Sequence, residues 1–88
     1  MGQAERLIFE RERIVARAEF ALREAHREFG IALRAERERA GVSLRELARR
    51  ALFSAAYVSD VELGRRSAPL STRSGLVVAI RFPMKAKP

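Results

Sequence analysis

From Ala4 to Phe29 the chain has no proline and no internal glycine, and alanine, arginine, glutamate and leucine dominate. These are good helix formers, so one long helix is expected. With Ala4 set at heptad position a, the residues Ala4, Leu7, Ile8, Arg11, Ile14, Val15, Ala18, Ala21, Leu22, Ala25, Glu28 and Phe29 fall at a, d and e. Arg11 and Glu28 alone break this apolar stripe. Such a helix is marginal in isolation, so its stripe needs a partner, either the same stripe on a second chain or this chain's own remainder. Leu7, Ile8, Ile14, Val15, Ala18, Leu22 and Phe29 are the candidate dimerisation or docking residues, and Ala18, Ala21 and Ala25 allow close approach. Phe9, Ala16 and Phe20 form a narrower second face, which suggests contacts on two sides. Helix-surface pairs such as Glu19 with Arg23 are worth only about 0.2 to 0.5 kcal/mol each. His26, beside the stripe, reads as an ordinary boundary histidine.

A chain of 88 residues has room for one small domain, and self-association would supplement its limited core. It has no cysteine and one histidine, which argues against disulfides, thiolate chemistry and a metal or other cofactor. No apolar run of membrane-spanning length occurs, so a soluble, cytoplasmic protein with no membrane partner is expected. The net charge of +7 is unevenly spread: residues 1–28 hold six arginines and six acids, whereas 29–88 hold twelve basic and five acidic residues. A neutral arm joined to a basic body points to protein contacts for the arm and a polyanion for the body.

Beyond the arm the chain either kinks at Phe29–Gly30 or runs straight into a helix over 31–40, ended by Gly41 as a C-cap. Ser43 caps the next helix with Glu46 as its capping-box partner, and Leu44, Leu47, Ala48 and Ala51 share its apolar face. The polar side carries Arg45, Arg49 and Arg50. Ser54 caps a third helix that turns Val58 and Val61 inward and runs to Gly64. Residues 65–69 read as an exposed basic turn. Ser71 or Thr72 then caps a last helix with Leu76, Val78, Ala79 and Phe82 buried; a strand over 76–82 competes, because β-branched and aromatic residues are frequent there and Gly75 interrupts the helix. Pro83 ends that element, and residues 83–88 read as a basic flexible tail.

The motifs FGxxLRxxRxxAG (29–41), SLRELA (43–48) and SAAYVSDVELGRR (54–66) together resemble the phage-repressor-like helix-turn-helix proteins of the Xre or Cro type, over roughly residues 29–82. The resemblance implies an all-α bundle of four to five helices, preceded here by the arm at 1–28, with its third helix entering the major groove of double-stranded DNA as a homodimer. Ala48 matches the small residue at the helix crossing, and Leu47, Ala51, Phe53, Val58 and Val61 match the apolar positions around it. Arg37 and Glu62 match a structural ion pair of several family members. Two positions depart from the pattern: Leu52 stands where the family has a turn glycine, and Glu36 stands at a position usually apolar.

The residues similar to the family's base readers are Ala55, Ala56 and Asp60, with Ser59 close by. Alanine can touch a thymine methyl and aspartate can accept from cytosine N4, but no arginine is placed to read guanine bidentately. Phosphate contacts are expected from Ser43, Arg45, Arg49, Tyr57, Arg65 and Arg66, and Ser54 completes the DNA-facing set. No phosphate loop, metal cluster or activated nucleophile suggests an enzyme. The function expected is a sequence-specific transcriptional regulator, a homodimeric repressor of a phage, plasmid or other mobile element. The alternative is a protein-interaction or antitoxin-like module whose long N-terminal helix binds another protein. The implied ion pair predicts that Glu62→Ala lowers stability by several kcal/mol, since it strands a buried arginine. An unchanged thermal melt would contradict both the pairing and the alignment.

Overall fold

The computed structural model describes residues 2–82. It contains four helices: α1 (Gln3–Arg39), α2 (Leu44–Ala51), α3 (Ala55–Glu62) and α4 (Leu70–Arg81). The arm and the first helix of the bundle are therefore one continuous 37-residue element, with no kink at Phe29–Gly30. Every residue from Gly2 to Arg23 is exposed, so the arm does not fold back on its own domain, and the molecule measures 72 × 20 × 19 Å. Phe29 differs from the rest of the stripe, being packed against the core. In the arm the ion pair joins Glu24 to Arg27, instead of Glu19 to Arg23. Among the described residues no helix is long and apolar enough to cross a membrane.

Local signals end the helices where short-range chemistry allows. After α1, Gly41 turns left-handed at φ 70°; its N–H donates to the Glu38 carbonyl and that of Val42 to the Arg37 carbonyl, both at 3.0 Å. This pair of hydrogen bonds closes the last turn and tucks Val42 into the core. Gly64 repeats the arrangement after α3, with Gly64 N–H donating to Val61 O and Arg65 N–H to Asp60 O. Ser43 Oγ accepts from Glu46 N at 3.0 Å and Ser54 Oγ from Tyr57 N at 3.1 Å. Glu46 does not return the capping bond with its side chain; its carboxylate engages Arg49 and Arg50.

The core draws on every element. Leu33 of α1, Val42, Leu47 and Ala48 of α2, Val58 and Val61 of α3, Ala68, and Leu76, Ala79 and Ile80 of α4 are all buried. Ala68 thus belongs to the core and not to an exposed turn. The last segment is helical, not a strand, and it starts at Leu70 after Pro69, which places Ser71 and Thr72 inside the helix instead of at its cap. Its buried face is Leu76, Ala79 and Ile80, spaced i, i+3 and i+4, and Val78 and Phe82 fall on the opposite side and are exposed. The expected stop at Pro83 and the basic tail lie outside the described residues.

Two positions show what the packing demands. At Gly30, α1 crosses the end of α3 so closely that an added Cβ would overlap the carbonyl oxygens of Val61 and Glu62. Glycine here permits an approach, not a bend. At the turn between α2 and α3, Leu52 adopts φ 62°, ψ 38° and is 90 % exposed. The turn keeps the left-handed conformation that glycine would adopt without penalty, and the leucine side chain gains no burial in return. Glu36 pairs with Arg39 on its own helix at 2.8 Å. Gly30→Ala is expected to destabilise by about 1–3 kcal/mol through overpacking. Leu52→Gly is expected to stabilise by up to about 1 kcal/mol, the relief of the left-handed backbone exceeding glycine's extra chain entropy. Urea unfolding followed by helical circular dichroism measures both, and equal signs would contradict this assignment.

Candidate nucleic-acid interface

The α2–turn–α3 unit is oriented by contacts behind it. Arg37 of α1 reaches Glu62 through two parallel bonds, Nε to Oε2 at 2.7 Å and Nη2 to Oε1 at 2.9 Å, and its Nη1 donates to the Val42 carbonyl at 3.0 Å. The two side chains are only 12 % and 5 % exposed. The bonds to Glu62 raise the Arg37 pKa, against the opposing effect of burial. Behind α2, Arg50 donates to the Ala79 carbonyl of α4 at 3.2 Å and to Glu46 at 3.1 Å. Arg50 is therefore an internal brace, although its place on a basic helix side marks it as surface.

In front, Ala56 is exposed while Ala55, Tyr57, Ser59 and Asp60 are half-buried. The Tyr57 ring packs on Phe53 with centroids 4.9 Å apart. The Arg66 guanidinium lies 5.7 Å above the Tyr57 centroid and 3.8 Å from the Asp60 carboxylate. Tyr57 and Asp60 of α3 thus form one cluster with Arg66 from the turn that follows it. The Asp60 carboxylate is already shared, which weakens it as an acceptor for a base edge. Such an exposed pair is worth little by itself, so it yields readily to a stronger partner.

The α2 residues divide into two kinds. Ser43, Arg45 and Arg49 are all exposed. Arg49 is held by Glu46, its Nε donating to Oε2 at 3.1 Å. Hydrogen bonds from Arg49 first and Arg50 second hold the Glu46 carboxyl below the usual carboxylate range, so it stays ionised through neutral pH. Among the described residues, Arg45 and Arg65 form no ion pair. They are exposed cations with free donors, whereas Arg49 has its charge and two of its donor nitrogens, Nε and Nη2, engaged by Glu46. The sequence signal for this engagement is the spacing of Glu46, three residues before Arg49 and four before Arg50. Arg73 was also not anticipated: it donates to the Ala68 carbonyl at 2.8 Å and stacks over Phe29 at 5.6 Å.

A family model described as a helix-turn-helix domain matches residues 28–83. That stretch begins where α1 first meets the domain, and most of the arm lies outside it. No curated protein matches the chain, and no solved structure does. Glu46→Gln is expected to release Arg49 and raise duplex affinity at fixed salt about two- to fivefold, with the slope of log affinity against log salt steeper by up to about 0.9. Fluorescence anisotropy with a labelled duplex measures both; lower affinity would mean that the Glu46 pair organises the interface.

Proposed function

We propose that this chain, which belongs to the helix-turn-helix domain family, is a sequence-specific DNA-binding transcriptional regulator of the Xre or Cro type, acting as a homodimeric repressor of a phage, plasmid or other mobile element. The observation that carries this reading is the pair of free cations, Arg45 and Arg65, on the same unit as the Ser43- and Ser54-capped helices. Their guanidinium groups and the free N–H groups at the helix starts suit phosphate oxygens, which fix register on a duplex without reading it. With α3 in the major groove, Ala55 and Ala56 offer apolar contact to thymine methyl groups. Asp60 can read cytosine only by giving up Arg66, which then becomes free for the backbone. Affinity in this mechanism rests on phosphates and specificity on shape and deformability.

An interaction module in which the arm binds a different protein, as in an antitoxin, draws on one observation, the uncovered apolar stripe from Leu7 to Leu22. The two readings separate in solution. Titrating a mixed-sequence duplex at several salt concentrations should show affinity falling linearly on a log–log plot, with Arg45→Ala and Arg65→Ala each flattening the slope by about 0.9. Absence of duplex binding at low salt would sink the regulator and favour the interaction module.

A further inference from the structure

The charged residues that interrupt the arm's apolar stripe, Arg11 and Glu28, are both exposed. Among the described residues neither has an ion-pair partner. Their positions are symmetric about the point between Glu19 and Phe20. We infer that α1 pairs with α1 of a second copy in antiparallel register about that point, so that each Arg11 meets Glu28 of the other chain.

The same centre organises the rest of the face. It sets Leu7 against Ala32 of the second copy and Ile14 against Ala25, so large side chains meet small ones, while Ala18 against Ala21 lets the helices approach closely at the centre. On one flank Val15 meets Leu22 and Ile8 meets Phe29; on the other, Arg17 meets Glu24. The seam itself is open, since its positions from Leu7 to Ala35 are exposed; on the flank Phe29 is partly covered by its own domain. A parallel pair in register would set Arg11 against Arg11 and Glu28 against Glu28 inside the seam, an arrangement that like charges oppose. Antiparallel pairing converts both interruptions into attractions that specify register.

The domain's own surface fits the same occupant. An open groove between α1 and α4 is lined by Phe29, Leu70, Arg73, Val77 and Val78, with Leu70 and Val78 exposed. The second copy brings Ile8 over Phe29 beside this groove, and its Glu5 and Glu12 lie on the side of Arg73. Because the twofold axis is perpendicular to the paired helices, both domains project from one face. Their Gly30 crossings then lie about 32 Å apart along the helix direction, close to one turn of B-DNA. This pairing identifies the partner in the regulator proposed above, and it rests on that reading for its biological sense.

Sedimentation equilibrium on the full chain tests it. Arg11→Glu and Glu28→Arg are each expected to weaken self-association by about 100-fold, and the double variant to restore it to within about threefold. Both positions are exposed, and mixing the two single variants should restore association, which shows that they fold. Because the chain has no cysteine, Ala18→Cys mixed with Ala21→Cys gives an orientation test: antiparallel pairs oxidise to the mixed disulfide. A monomeric wild type, unaffected single variants, a double variant without recovery, or disulfides only between like chains would overturn the inference. Duplex binding at low salt is scored separately. If it is lost in the wild type while the charge swap holds, the DNA-binding reading fails and the pairing stands; the reverse outcome sinks the pairing alone.

Discussion

The bidentate contact of Arg37 with Glu62 is the interaction on which the DNA-facing unit depends. It joins the long helix to the far end of α3, and through Nη1 it also holds the loop that leads into α2. One guanidinium therefore sets the direction of both short helices. The desolvation of two charges so little exposed offsets much of their mutual attraction, but removing one leaves the other without compensation. The pair also works beside the Gly30 crossing, where two backbones touch with no side chain between them. Polar and steric constraints thus act within two turns of α1.

These constraints differ in how far they could be read from the chain. Caps at Ser43 and Ser54 and the glycine endings at Gly41 and Gly64 depend on residues three to six apart, so their local pattern sufficed. Gly30 was ambiguous because its meaning lies with Val61 and Glu62, thirty residues away. The expected buried set of α4 mixes two faces: Ala79 and Ile80, three and four residues after Leu76, share its side, whereas Val78 and Phe82 lie across the helix and stay exposed. The pairing of Arg37 with Glu62 came from family resemblance; spacing alone would not have found it.

At the candidate interface the residue types were legible and their engagements were not. Arg45, Arg49 and Arg50 look alike along α2, yet one is free, one is held by Glu46 and one braces α4. Asp60 looked like a reader of cytosine and is found beside Arg66. The proposed interface has more cation than code. Its free donors suit a repetitive phosphate backbone, and the groups proposed to face bases are small or already shared.

The unbroken course of α1 locks the arm in rotational phase with the domain. Each residue advances the helix by about 100°, so inserting one residue near Ala25 would swing the arm's stripe by that angle relative to α3 without touching either. A seven-residue insertion would return the stripe to within about 20° of its phase while lengthening the arm. The arm is thus a rigid spindle, and evolution can change its reach in whole heptads while keeping the direction in which its apolar stripe faces.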